Sequence, residues 1–350
     1  MALPQTYRKV MVTTLTTNFR KAIEFQTCQI PKLSANSVLV RNRYVGINAS
    51  DVNFTAGKYT PGAALPLEIG FEAVGEIVAA GDKCKDLIGT AVAHMSGGAF
   101  CEYQKLQSSR IFRIPEPKPE YLPLLVSGIT AKLALEMKAQ LKEGETVLVT
   151  AAAGGTGQFA VQLAKLAGCR VIGTCSTDKK VEFLKSIGCD RAINTSKEDL
   201  KLVLKDEFSK GVDVIYESIG GQTFDTCVNA MKLGGRLIVI GYISGYQDGT
   251  ISSTSGRAAA ALPIKLLMKS ASVNGFFLMH YPQKWKSTFD ELVEIHSKGE
   301  AKSFVDNGMN RTEGKLEGIE SIPDAVDYMY SRKSIGKVFV DMFPDLTAKL

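Results

Sequence analysis

The chain is short of everything that would mark it as secreted, membrane-spanning or nucleic-acid-binding. Its seven cysteines are an odd, scattered set with no Cys-x-x-Cys pair, which fits free thiols in a reducing compartment rather than a disulfide framework. No apolar run approaches the roughly 18 residues needed to span a bilayer. Met1–Thr6 lacks the apolar core of a signal peptide, so none is expected. The excess of base over acid is mild, 42 Lys and Arg against 36 Asp and Glu, and it is scattered. Without a basic stripe nothing points to nucleic acid. Internal repeats and low-complexity segments are absent.

What is present is an ordinary globular composition, 45% hydrophobic and 22% charged over 350 residues, long enough for two domains. The most informative stretch is Val147-Leu148-Val149-Thr150-Ala151-Ala152-Ala153-Gly154-Gly155-Thr156-Gly157. An apolar run breaks into small residues and then takes up helical spacing from Phe159 to Ala167, which predicts strand, tight turn and helix. A helix N-terminus leaves its first N–H groups unpaired and favours negative charge, so such a turn can receive a pyrophosphate. Gly154 and Gly157 have the spacing of the last two glycines of the dinucleotide fingerprint, with Ala151 in place of the first. The same turn also serves as a plain connector in sheets that bind nothing.

Strand-like runs follow at Arg170–Cys175, Asp190–Asn194, Val212–Ile219, Arg236–Ile243 and Ser272–Leu278. Helix-like segments, Asp178–Ile187, Lys197–Ser209 and Gln222–Lys232, alternate with them. The alternation predicts an α/β domain with a doubly wound parallel sheet and a ligand at the carboxyl ends of its strands. Before it, short runs at Lys9–Thr13, Ser37–Tyr44, Ala73–Ala80, Ala91–His94 and Phe100–Lys105, separated by glycine and proline, predict a β-barrel-like domain. Pro115–Pro119 is a connector, followed by a helix-like run from Leu122 to Leu135. Gln283–His296 and Ile322–Tyr330 are expected to be helical, and the tail from Ala301 to Asp341 is expected to return to the first domain. The expected division is 1–126 with 303–350, and 127–302.

This order of parts resembles the medium-chain dehydrogenase/reductase family over essentially the whole chain. The resemblance implies a Rossmann domain joined to a GroES-like barrel. Gly46-Ile47-Asn48-Ala49-Ser50-Asp51 stands where zinc-dependent members carry Gly-x-Cys-x-Ser/Thr-Asp, and Gly70-Phe71-Glu72 where they carry Gly-His-Glu. Asn48 and Phe71 thus replace two metal ligands, and no metal is expected. Long runs are similar to the zinc-free third-type prostaglandin reductases, namely Leu39–Arg43, Val45–Asp51, Leu148–Ala160, Gly173–Ser176, Ile238–Gln247 and Gly275–Leu278. That resemblance implies an NADPH-dependent 15-oxo-prostaglandin 13-reductase acting on lipid enones.

An NAD site places Asp or Glu about 20 residues beyond the fingerprint. Here the second strand ends Gly173-Thr174-Cys175-Ser176-Thr177-Asp178-Lys179-Lys180. Its tip is neutral, and Ser176 with Lys180 would supply a hydroxyl and a cation for a 2′-phosphate, as the matching positions do in the family. The competing reading is that Thr177 or Asp178 caps the helix and the lysines are solvated surface. Thr195 stands where the family usually has Tyr, and Ser334 where relatives commonly have Asn. The resemblance further implies cofactor contacts from Thr156, Ser218, Ile240 and Phe276-Phe277-Leu278, with Asn48 and Thr130 at the nicotinamide.

Without a metal, the fitting chemistry is conjugate reduction, whose enolate needs only one or two hydrogen-bond donors. Tyr59 and Tyr246 are the candidate donors, with His280 a further proton source, although a loop tyrosine or histidine is more often packing or solvated surface. His94 and His296 have no motif around them. The alternatives are a ζ-crystallin-type quinone reductase and an NADPH-binding protein kept for structure or RNA binding. A homodimer is compatible with the resemblance. The terminal Ala348-Lys349-Leu350 resembles the Ser-Lys-Leu peroxisomal address, which an import receptor reads. The expected location is the peroxisome, with the cytoplasm as alternative.

Overall fold

The computed structural model describes residues 3–247 and 256–344. Its contacts divide the chain into two units, 1–126 with 305–350, and 127–304.

The first unit is built on strands that read as apolar runs between turn residues. A sheet of three strands has the order β2-β1-β4, from β1 (Thr6–Val12), β2 (Ile23–Gln29) and β4 (Leu67–Glu68). A larger curled sheet contains β3 (Ser37–Gly46), β5 (Ala73–Ala80), β6 (Ala91–His94), β7 (Tyr103–Gln107), β8 (Ile111–Arg113), β15 (Val305–Asp306) and β16 (Lys337–Asp341). Its order is β15-β16-β3-β5-β6-β8, with β7 also paired to β3. Strand β3 is at the centre. Nine of its ten residues are buried, and Val38 and Val40 pack with Ile77, Val92, Leu106 and Ile111 in the core. The tail returns to this unit: β16 pairs antiparallel with β3, setting Phe339 opposite Gly46. Helix α1 (Phe19–Ala22) is one turn; α2 (Ser50–Thr55) follows β3 directly, and α10 (Ile322–Tyr330) precedes β16.

The second unit has a six-stranded sheet, β11-β10-β9-β12-β13-β14. Its strands are β9 (Thr146–Val149), β10 (Arg170–Cys175), β11 (Arg191–Asn194), β12 (Val212–Glu217), β13 (Met231–Val239) and β14 (Ser272–Gly275), and all neighbours run parallel. In order of appearance this is 3-2-1-4-5-6, the doubly wound dinucleotide fold, whose switch point lies between β9 and β12. Its helices are α3 (Ile129–Ala134), α4 (Gly155–Leu166), α5 (Asp178–Ser186), α6 (Leu200–Glu207), α7 (Gly221–Ala230), α8 (Gly256–Lys269) and α9 (Trp285–Ser297). Leu148, Ile172, Ile193, Ile215 and Leu237, one from each of five strands, meet α6 and α7 through Leu204, Cys227 and Val228.

Several boundaries differ from expectation for local reasons. Strand β13 starts earlier than Arg236–Ile243, at Met231, with Gly234 at φ +73° and a shift of the β12 ladder inside it, and it ends at Val239. Strand β14 stops at Gly275, since Phe276–Leu278 turn out of the sheet into a short helical turn at Leu278–His280. The helix-like run at Leu122–Leu135 is broken at Leu125, whose φ/ψ of −73°/−115° is not helical. Strand β2 is an edge with alternating exposed residues and carries no long apolar run.

Candidate functional site

In the second unit, β9 leads into a turn in which Ala151 adopts φ +47°, a left-handed conformation that costs a non-glycine residue about 1–2 kcal/mol. Gly154 is the N-cap of α4, and no side chain caps that helix. A side chain at Gly157 would begin 2.6 Å from the Ala151 carbonyl oxygen and 2.7 Å from Ala152 Cα. Gly157 is therefore required for the helix to close on the turn, while the first N–H groups of α4 remain available to an anion. Thr156 lies half-buried in that first turn. These residues fit a dinucleotide pyrophosphate.

At the tip of β10 the capping reading holds in part. Thr177 caps α5 by accepting from the Lys180 backbone N–H at 3.3 Å. Lys179 is exposed surface, but Lys180 is buried, with 8% of its area accessible. Asp178 does not present a free carboxylate. It accepts from Lys197 Nζ at 2.5 Å and from Asn194 Nδ2 at 2.8 Å, and these partners, Lys197 foremost, hold its carboxyl below the usual range. Asp178 is thus committed to the end of β11, and Ser176 and Lys180 lie at the same tip. Thr195 donates its hydroxyl to the Cys175 carbonyl at 3.0 Å, so this side chain braces β10 against β11.

Beside the switch point, Glu217 ends β12 completely buried. Its carboxylate accepts from the N–H groups of Ile219 and Gly220 at 2.8 and 3.0 Å, and burial raises its pKa. Ser218 donates its N–H to Thr150 Oγ1 at 2.9 Å, joining the two strands on either side of the crevice. Ile240 donates its N–H to the Glu217 carbonyl at 2.8 Å. The Tyr242 ring occupies the space where a Gly220 side chain would be, with Cδ2 only 1.9 Å from that Cβ position. Tyr246 accepts the Tyr242 N–H on its hydroxyl at 2.9 Å.

Farther along the same edge, Phe276 stacks on Tyr281 with centroids 5.1 Å apart. Phe277 is partly exposed and lies edge-on to His280. Leu278 is buried and its carbonyl accepts from Trp285 Nε1 at 3.3 Å. Thr130 is buried in α3.

In the first unit, the segment carrying Asn48 is a compact polar cluster. Asn48 Oδ1 accepts from Lys337 Nζ at 2.6 Å, and its Nδ2 donates to Glu72 Oε1 at 3.0 Å. Glu72 and Lys337 form a direct ion pair; the carboxylate side chain is 0% exposed and the ammonium side chain 3%. Glu72 Oε2 also accepts from the Val126 N–H at 2.8 Å. Asp51 Oδ2 accepts from the Asn48 N–H at 2.8 Å, but its Oδ1 is buried with no hydrogen-bond partner. Burial pushes the Asp51 carboxyl up to about 8. Phe71 offers no donor and packs edge-on to Phe54, centroids 5.7 Å apart. Among the described residues no group of three or more His, Cys, Asp and Glu is arranged to hold a metal ion.

Tyr59 accepts on its hydroxyl from Asn53 Nδ2 at 3.2 Å. Ser334 is buried just before β16. His94 is a core histidine: its Nε2 meets Asn42 Oδ1 at 3.0 Å, and burial lowers its pKa to about 3. The Glu72–Lys337 pair was not foreseen. Its only sequence signal is a lysine immediately before the apolar run Val338–Val340.

Comparison with known proteins identifies the family. The family model for the alcohol dehydrogenase GroES-like domain matches residues 34–116, and that for zinc-binding dehydrogenases matches residues 155–294. The chain is 50% identical to prostaglandin reductase-3 of Mus musculus, over 100% of this chain and 93% of that protein. It is 40% identical to a probable quinone oxidoreductase of Leishmania amazonensis, over 98% and 100%. Among solved structures it resembles CurA from Vibrio vulnificus in complex with NADPH, with a TM-score of 0.81, 24% identity, and coverage of 95% of this chain and 98% of that one.

Proposed function

The chain belongs to the medium-chain dehydrogenase/reductase family, and from that premise we propose that it is an NADPH-dependent reductase of the conjugated double bond of α,β-unsaturated ketones, with 15-oxo-prostaglandins and related lipid enones as substrates. The observation that carries the reading is the replacement at positions 48 and 71. Where zinc-dependent members would hold a developing alkoxide on a metal, this chain has an amide tied to an ion pair and a phenyl ring. Conjugate addition does not need that metal: it spreads charge over an enolate, which hydrogen-bond donors stabilise. Full-length similarity to prostaglandin reductase-3 supports the same reading.

Bound NADPH would supply the hydride. The uncapped first turn of α4, with Gly154, Thr156 and Gly157, would hold its pyrophosphate, and Ser176 with Lys180 would take the 2′-phosphate. With Asp178 drawn to Lys197 and Asn194, its carboxylate would oppose that phosphate less. Thr195, whose hydroxyl is spent on Cys175, acts by shaping the tip. Asn48 and Thr130 would orient the nicotinamide, with backbone groups of Phe276–Leu278 and Ser334 as further contacts. Tyr59 and Tyr246 are the enolate donors. Each has its hydroxyl oxygen positioned by one donated hydrogen bond, from Asn53 and from the Tyr242 N–H.

Quinone reduction is the second reading, supported by the Leishmania relative. A panel of 15-oxo-prostaglandins, alkenals, cyclic enones and quinones assayed with NADPH and NADH separates the two. The enone reading expects kcat/KM for oxo-prostaglandins at least tenfold above that for quinones, and the reverse ratio would replace it. We propose a peroxisomal location through Ala348-Lys349-Leu350, which lies outside the described residues. Deleting that tripeptide from an N-terminally tagged chain should abolish import and leave activity intact; an unchanged distribution would refute the assignment.

A further inference from the structure

The Glu72–Lys337 pair is a poor candidate for a stabilising device. Both groups are withdrawn from water, and buried pairs of this kind usually gain nothing over apolar residues of the same volume. What the pair does uniquely is fix an amide. Asn48 has its Oδ1 against the ammonium at 2.6 Å and its Nδ2 against the carboxylate at 3.0 Å. Turned over, the amide would set oxygen against carboxylate and NH2 against ammonium. Both contacts would become repulsive, so only one orientation survives.

Neither end of the clamp can swing away. Glu72 packs so closely over Gly46 that a Cβ there would begin 2.6 Å from Oε1, and its other oxygen is held by the Val126 N–H. Lys337 opens β16, which is laddered to β3 two residues later. The remaining contact of Nδ2, to the Gly46 carbonyl, is 3.5 Å, at the limit of a hydrogen bond. A cation on the amide oxygen also polarises the amide and strengthens its N–H as a donor.

We propose that Lys337 is a positioning residue: with Glu72 it locks the Asn48 amide so that a polarised N–H edge is presented to the nicotinamide or to the substrate. The proposal rests on the assignment of Asn48 to that contact, and the experiment separates the two. The variants are Glu72→Gln/Lys337→Met, which removes both charges together and so leaves no bare buried ion, and Asn48→Ala.

Two readouts are taken on the double variant. In protein labelled with 15N-asparagine and free of coenzyme, the Asn48 side-chain amide resonances should shift or broaden once the clamp is gone. In steady-state assays kcat for enone reduction should fall at least tenfold, while KM for NADPH changes by less than twofold. Unchanged amide resonances, or a folded double variant that turns over within twofold of the parent, would overturn the role of Lys337. If Asn48→Ala is slow and the double variant is not, the clamp is refuted and the assignment of Asn48 stands. If the amide is released in the double variant while Asn48→Ala turns over normally, the clamp is upheld and the assignment of Asn48 falls.

Discussion

Replacing Asp51 by Asn should abolish a pH dependence of stability that the fold builds in around neutrality. Burial raises the Asp51 carboxyl from 3.8 to about 8. The native state therefore keeps a proton that the unfolded chain has released at every pH between those values. Stability then falls as pH rises across the window, by about 1.4 kcal/mol per pH unit. His94 works the other way. Burial lowers it from 6.5 to about 3, so the unfolded chain binds a proton that the native state refuses, and stability rises with pH up to 6.5.

Between about pH 4 and 6.5 the slopes of His94 and Asp51 oppose; above 6.5 the His94 contribution is gone and that of Asp51 remains. From pH 6.5 to 8 Asp51 should cost the parent a little under about 2 kcal/mol, since the slope of about 1.4 kcal/mol per pH unit halves as the pH reaches the folded pKa. Cys101 and Cys189 do not enter this window, since burial raises them from 9.0. The assay is urea unfolding followed by fluorescence and circular dichroism at half-unit steps from pH 6 to 8.5. In Asp51→Asn the loss across that interval should disappear, because the amide carries no charge at any pH. It retains an acceptor for the Asn48 N–H. Parallel curves for parent and variant would show that Asp51 is ionised in the native state and that the burial argument fails.

Three further outcomes follow from the site. Lys180→Ala removes a charge-assisted bond worth roughly 1.5–3 kcal/mol, so coenzyme titration should show NADPH binding weakened about ten- to a hundredfold with NADH almost unaffected; equal losses would make Lys180 a structural residue only. Lys197→Ala removes the cation from the Asp178 carboxylate, leaving it the Asn194 amide, and should raise KM for NADPH severalfold, and adding Asp178→Asn should restore it; no recovery would place the effect elsewhere. Tyr59→Phe and Tyr246→Phe keep the rings and remove the hydroxyls, so turnover of enones should fall while thermal stability changes little. If neither change nor both together slows reduction more than about threefold, under 1 kcal/mol of barrier, water or the coenzyme ribose is the donor.

Where the sequence was legible, the signal was local. The run from Val147 to Gly157 announces β9, its turn and α4, because apolar periodicity and glycine spacing act within a dozen residues. The same holds for β10, whose bounds Arg170–Cys175 could be read directly. Helix α8 escaped because Pro263 lies within it, and a proline in a small, apolar stretch argues for a break. Long-range partnerships left no such mark. Nothing in Gly-Phe-Glu indicates that Glu72 meets Lys337. The commitment of Asp178 to Lys197 and Asn194 required the parallel register of β10 and β11, which sets Cys175 beside Asn194.

The discontinuity of the first unit has a consequence for how the chain is made. Its early strands are complete by Val126, but β16, which pairs with the central β3 and carries the only cation bonded to Glu72 among the described residues, emerges roughly two hundred residues later. At translation rates of about 5–20 residues per second that gap is about 10–40 s. Throughout it β3 lacks its β16 neighbour and Glu72 has no counter-ion. The second unit, encoded without interruption from residue 127 to 304, is complete before then. On the ribosome, therefore, the domain that begins first finishes last, and the nascent amino-terminal half is the part of this protein most in need of a chaperone.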